Sequence, residues 1–205
     1  MEFREALRRR RMVRRHTGDP IDPASLDRIV AAAHRGPSAG FAQGIVTIAI
    51  SEPDDIAAIA VLCDEPAHVA RGLPPWIGSS GALVALCVDP RRYRDRYAEP
   101  DKDPEVVTRI PWWWVDGGAA LGYLLLAAVD EGLGAGFLGG HRLDAVAVHL
   151  GIPDGIELVG LVTLGPPVAD RPSSSTLRGR RPEAEVARRH SWEQAGPHSG
   201  GDRGR

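Results

Sequence analysis

The chain has 205 residues, long enough to bury a substantial core as one domain or a little more. Hydrophobic residues make up 43% and charged residues 25%, an ordinary balance for a soluble globular protein. Its 25 basic and 27 acidic side chains leave a net charge of -2, which argues against a polycation that grips nucleic acid through its phosphates.

The basic side chains are 24 arginines and one lysine, Lys102, and six of the arginines crowd into "LRRRRMVRRH", Leu7 to His16. The start of the chain lacks the apolar stretch of a signal peptide, and no apolar run reaches the ~18 residues of a membrane span. A cytoplasmic protein without membrane or nucleic-acid partners is the expectation. Glu2 to about Arg11 reads as a short helix. In "TGDPIDPASLDRIVAAAHRG", Asp22 can cap, Pro23 suits the first helical position, and Leu26, Ile29, Val30 and Ala33 form one helical stripe. Gly36-Pro37 stops that helix, and "GPSAGFAQG" (36–44) reads as a tight loop of small residues.

"IVTIAI" (45–50) is a strand by its β-branched content, and "PDDIAAIAVLC" a helix. "GALVALCVD" (81–89) is apolar throughout, as in a strand covered on both faces. Cys63 and Cys87 lie in apolar runs without C-x-x-C spacing and read as reduced core thiols. The segment "PRRYRDRYAEPDKDPEVVTR" reads as a long charged loop, its Glu99–Asp103 part as solvated rather than metal-binding. "VDGGAALGYLLLAAVDEGLG" is a long helix, apolar nearly all round and so expected to be buried on most sides. "GLGAGFLGG" (132–140) reads as a glycine-rich loop, "LDAVAVHLG" as a helix and "ELVGLVTLG" (157–165) as a buried strand. "PPVADRPSSSTLRGRRP" is an extended arm, and 193–205 a disordered tail. The fold class is α+β, with helices around a small mixed sheet and residues 1–192 as a single domain.

Motifs for metals and phosphate loops are missing: no H-E-x-x-H, no Walker loop, and no G-x-G-x-x-G that opens a helix after a strand. His141 follows a Gly-Gly pair and reads as a solvent or hydrogen-bonding residue. A chain without acid–base machinery that is still an enzyme would take its chemistry from a cofactor.

Taken in order, "RRRMVRRHTGDPI", "AAAHRGPSAGFAQG", "VDGGAALGYLLLAAVDEGLGAGFLGG", "LGIPDGIELVGLVTLGPP" and "LRGRRPEAEV" resemble the FMN-dependent nitroreductase family over about residues 2 to 192. The resemblance implies a homodimer that exchanges C-terminal arms, with FMN in the interface and NADH or NADPH as electron donor. A reduced deazaflavin is the other donor in view. By position, Arg10 would meet the FMN phosphate, Arg14 the flavin N1/O2 side, and Arg178 and Arg180 the phosphate. Arg11 would contribute mainly a backbone contact, and Arg8, Arg9 and Arg15 would be solvated. Pro37, Ser38, Ala39 and Gly40 would line the dimethylbenzene and ribityl side, with Gln43 on the polar edge. Leu138, Gly139 and Gly140 would turn backbone N–H groups toward N5 and O4.

The chain departs from the family pattern at Met12, where a small hydroxyl residue is usual, and at His16, Phe41 and Gly44, which stand for an aromatic, an asparagine and a proline. Phe41 and the tryptophans Trp112, Trp113 and Trp114 are candidates for a substrate pocket; core packing is the equal alternative for the tryptophans. No side chain is expected to act as a catalytic acid or base. The activity so implied is NAD(P)H oxidation with reduction of a nitroaromatic, a quinone or a dedicated metabolite. The alternative is a protein of this fold that sequesters flavin without turnover.

Overall fold

A computed structural model describes residues 1–140, 143–169, 176–188 and 190–192. The chain forms two units, Met1–Asp170 and Arg171–Arg205. The expectations for His141 and for the tail at 193–205 fall outside the described residues.

In the first unit, α1 (Phe3–Arg9) and α2 (Pro23–Ala33) precede β1 (Ile45–Ile50). Two helices follow, α3 (Pro53–Leu62) and α4 (Glu65–Ala70), then β2 (Ala82–Val88), α5 (Pro90–Tyr97) and α6 (Glu105–Arg109). The long helix α7 (Trp112–Asp130) leads to β3 (Gly134–Leu138), α8 (Leu143–His149) and β4 (Glu157–Gly165). The sheet has the order β1-β2-β4-β3, and each adjacent pair is antiparallel. The sheet is therefore antiparallel rather than mixed; outside its strands, an isolated parallel bridge joins Met12 to Ala135.

Side chains alternate across the strands. One face, through Val84, Leu86, Val162 and Leu164, packs on α2 and α7. The other, through Leu83, Ala85 and Leu161, packs on Ile56 and Ile59 of α3 and Val146 of α8. Helices on both faces explain why all seven residues of β2 are buried in an antiparallel sheet. Each fully buried Leu or Val there contributes about 1.5–3 kcal/mol.

Three further readings of the chain are corrected by this architecture. The charged segment after β2 is two helices rather than a loop; α5 starts as α2 does, with an Asp-Pro pair whose Asp89 carboxylate accepts from the Arg91 N–H at 3.1 Å. The glycine-rich 132–140 stretch contains β3. Helix α7 is buried on one side only: Leu124 and Ala128 are inaccessible, while Trp114, Val115 and Tyr123 are exposed. By length and composition alone it would pass for a membrane span. Its contacts with α2 and all four strands make it the central helix of the core.

Candidate functional site

The arginine-rich segment is held against the sheet edge. After α1 the chain lies along β3, where the Val13 N–H donates to the Ala135 carbonyl at 2.8 Å. Glycine makes this approach possible. A Cβ on Gly136 would stand 2.4 Å from the Val13 carbonyl oxygen and 2.8 Å from Trp76 Nε1. The glycines of 132–140 therefore serve a close strand contact, which is why a loop signal concealed a strand.

Val13 and His16 are buried anchors on either side of Arg14 and Arg15. His16 Nδ1 lies 3.3 Å from the Gly165 carbonyl and Nε2 lies 3.3 Å from Thr163 Oγ1. Arg8 and Arg9 bind Glu5 on the α1 surface, and Arg15 donates to the Ala169 carbonyl at 3.3 Å. Arg10 is half-buried at the end of α1, and Arg11, Met12 and Arg14 are exposed. The Arg14 guanidinium lies 5.2 Å from the centre of the Trp76 ring. Leu138 and Trp76 line one cleft of about 200 Å³ together with Cys63, His68, Arg71 and Ile77. Gly139 and Gly140 are exposed beyond it; Gly140 has φ +78°, and nothing lies within 4 Å of a Cβ built there.

The other candidate residues form a separate structure between α2 and β1. Gly40, Phe41 and Gln43 all adopt left-handed backbone, with φ of 60°, 58° and 53°. Two of these are not glycine, and such conformations persist only where neighbours impose them. The neighbours are specific. Asp116 Oδ2 accepts from the Ala39 N–H at 2.9 Å and from the Tyr93 hydroxyl at 2.7 Å. Ser38 Oγ accepts from the Gln43 N–H at 2.8 Å. Arg96 Nε donates to the Gly40 carbonyl and Arg92 Nη1 to the Gln43 carbonyl, each at 2.9 Å.

Burial, then the hydrogen bond to the Asp116 carboxylate, pushes the Tyr93 phenol well above the ordinary tyrosine range. The loop lines a cleft of about 290 Å³ with Pro37, Ser38, Phe41, Gln43, Arg92 and Asp116, and Phe41 is 75% exposed above it. The Gly44 departure has a steric cause: a Cβ would stand 2.2 Å from Tyr93 Cε2.

Sequence reasoning missed Asp116, Tyr93, Arg92 and Arg96. The available signal was the Asp89-Pro90 helix start, after which Arg92 and Arg96, four apart, share one face of α5.

The tryptophans divide. Trp113 is a core residue, which corrects its assignment to a pocket: it packs with Val88, Tyr93 and Val107, and its indole N–H donates to Glu157 at 3.2 Å. Trp112 is half-buried, and its indole N–H has no partner among the described residues. Trp114 is 44% exposed.

The two groups of residues are apart within one chain. The 37–43 loop enters β1 and is tied to α7, while the arginine segment rides β3 at the opposite edge. Three strand spacings separate these edges, about 14 Å. Arg178 and Arg180 belong to the second unit, which holds a 3-10 turn at Thr176–Arg178 and α9 (Glu183–Val186). Both arginines are exposed, flanking Gly179 at φ 70°.

A family model described as "Nitroreductase family" matches residues 7–166. The chain is 28% identical to an "NADH dehydrogenase" of Thermus thermophilus, over 83% of this chain and 89% of that protein. It is 25% identical to an "NADPH-flavin oxidoreductase" of Vibrio harveyi, over 80% of this chain and 65% of that protein. Among solved structures, nitroreductase A from Vibrio parahaemolyticus superposes with a TM-score of 0.72 at 22% identity, covering 96% of this chain and 79% of that one.

Proposed function

The chain belongs to the nitroreductase family, and from that membership we propose an FMN-dependent oxidoreductase that oxidises NADH or NADPH and reduces a small organic acceptor. The acceptor is a nitroaromatic, a quinone or a dedicated metabolite that uses the same pocket in turn. The observation that carries this reading is the bridge between Met12 and Ala135. It sets the arginine segment beside β3, the strand that ends at Leu138 and leads into Gly139 and Gly140.

That donor set fits FMN. Exposed guanidinium groups suit a phosphate and an electron-rich ring edge, and the open space at Gly140 admits a flat ring close to backbone. When bound, FMN supplies hydride chemistry at N5. Arg10, Arg178 and Arg180 hold the phosphate in this reading, Arg14 faces N1/O2, and Arg11 and Met12 contact through the backbone segment. Leu138, Gly139 and Gly140 offer N–H groups near N5 and O4. Pro37, Ser38, Ala39 and Gly40 cover the ribityl and dimethylbenzene side, with Gln43 on the polar edge.

Because the 37–43 loop and the arginine segment occupy opposite sheet edges, we assign the two halves of each site to different chains of a homodimer, with the second unit as its arm. The exposed α7 face with Trp114, Val115 and Tyr123 supports that assembly. Phe41, Trp112 and Trp114 are the candidate aromatic groups left to meet an acceptor. No protein acid or base enters the scheme. Titrating the purified protein with FMN, then adding NADH, NADPH or reduced deazaflavin without oxygen, tests it. Bleaching by one donor supports turnover; binding without bleaching by any would favour a flavin-sequestering protein.

A further inference from the structure

We propose that Trp76 is a positioning residue that aims Arg14, and that through Arg14 it sets the reduction potential of the flavin. The inference rests on the FMN reading and concerns Trp76, a residue to which no role has been given.

Arg14 is a long, exposed side chain between two buried anchors. Arg8 and Arg9 are paired with Glu5, but among the described residues no carboxylate binds Arg14. What its guanidinium meets is the Trp76 ring, at 5.2 Å from the centroid, a distance at which the ring face attracts a cation. The ring is fixed from several sides. Its Nε1–H donates to Thr163 Oγ1 at 2.9 Å, on the central strand β4. The Trp76 N–H donates to the buried Glu65 carboxylate at 2.6 Å, and that carboxylate also accepts from the N–H groups of Ile77 and Gly78. The Trp76 carbonyl accepts from the hydroxyls of Ser79 and Ser80 at 3.2 and 3.1 Å. Gly136 leaves room for the indole edge, since a Cβ there would crowd Nε1 to 2.8 Å.

A free arginine must lose most of its rotamer freedom to engage a ring edge. One already resting on a rigid plane has lost part of it in advance. Trp76 also shares the Leu138 cleft, so the platform stands beside the backbone assigned to N5 and O4. A cation held at the pyrimidine edge favours the reduced, negatively charged flavin over the neutral oxidised one. Removing the platform should therefore act on the ratio of reduced to oxidised affinity more than on either fold or oxidised affinity.

The test compares Trp76→Leu, Trp76→Phe, Arg14→Gln and the Arg14→Gln/Trp76→Leu pair by FMN titration and by potentiometry. Trp76→Leu should lower the reduced-to-oxidised affinity ratio about tenfold, equivalent to ~30 mV for a two-electron couple, and change the oxidised FMN Kd by less than about threefold. Trp76→Phe keeps a ring face and should stay near wild type, which also covers the case in which the leucine variant misfolds. The double variant should shift no further than Arg14→Gln alone. A wild-type potential in Trp76→Leu, equal losses in Trp76→Leu and Trp76→Phe, additive shifts in the pair, or a raised potential from a platform that competes with the flavin would each overturn the proposal. If Arg14→Gln still shifts the potential in those cases, the FMN reading survives. A wild type that binds no FMN overturns both.

Discussion

Replacing Asp116 by asparagine isolates what holds the 37–43 loop. The carboxylate is 4% exposed, and its Oδ2 receives both the Tyr93 hydroxyl at 2.7 Å and the Ala39 N–H at 2.9 Å. An amide keeps one acceptor oxygen but loses the charge that strengthens both bonds, about 1 kcal/mol each. It also brings an NH2 group into a buried site, at about 1–3 kcal/mol if unsatisfied. The sum is about 3–5 kcal/mol, a large part of the roughly 5–15 kcal/mol that stabilises a domain. For a chain of this size the melting temperature should fall by about 6–20 °C.

Calorimetry of the flavin-free protein measures this loss, and FMN titration at a temperature where the variant stays folded measures the second effect. With Ala39 released, the left-handed backbone at Gly40, Phe41 and Gln43 loses one of its restraints and FMN should bind more weakly. The reduction potential should move little, because the 37–43 loop is assigned to the ribityl and dimethylbenzene side rather than to the flavin N1/O2 edge where the charge develops. An unchanged melting temperature would refute the assignment of Asp116 as the residue that pins the loop.

Tyr93 supplies a pH test. Its folded pKa is raised, so its contribution is fully present below the unfolded value near 10 and is lost as pH rises beyond it. Wild type should lose stability above about pH 10 more steeply than Tyr93→Phe, by denaturant melts across that range. Gly44→Ala should cost about 1–3 kcal/mol, since the buried Tyr93 ring cannot yield to a Cβ at 2.2 Å; equal midpoints would contradict the packing. Gly118→Arg adds a side chain where nothing lies within 4 Å in one chain, so it should leave the fold intact yet convert a dimer to a monomer by light scattering. Arg178→Ala and Arg180→Ala should each weaken FMN by about 1.5–3 kcal/mol and leave riboflavin unaffected.

Much of the fold could be read along the chain because local signals and burial agreed. Asp22-Pro23 opens α2 and the apolar runs mark β2 and β4. The failures have physical sources. Gly134 and Gly136 look like loop residues but serve the contact with Val13, which is long-range and leaves no local trace. Helix α5 is polar enough to resemble a solvated loop; its function is to donate from Arg92 and Arg96 to carbonyls some 50 residues earlier. The face of α7 that reads as buried is exposed at Trp114, Val115 and Tyr123, because α2 and the sheet cover only the opposite side of the helix. At the candidate site, the loop and the arginine run were each visible as clusters. Their separation across the sheet was not, since strand order is a property of the folded chain.

The most direct measurement is an FMN titration of the purified chain, followed by anaerobic addition of NADH and of NADPH while the flavin absorbance is watched. The account predicts one FMN per chain, much weaker binding of riboflavin, and rapid bleaching by at least one of the two nucleotides with colour restored by a quinone or nitroaromatic. A chain that leaves the FMN spectrum unchanged, or that holds riboflavin as tightly as FMN, would contradict it.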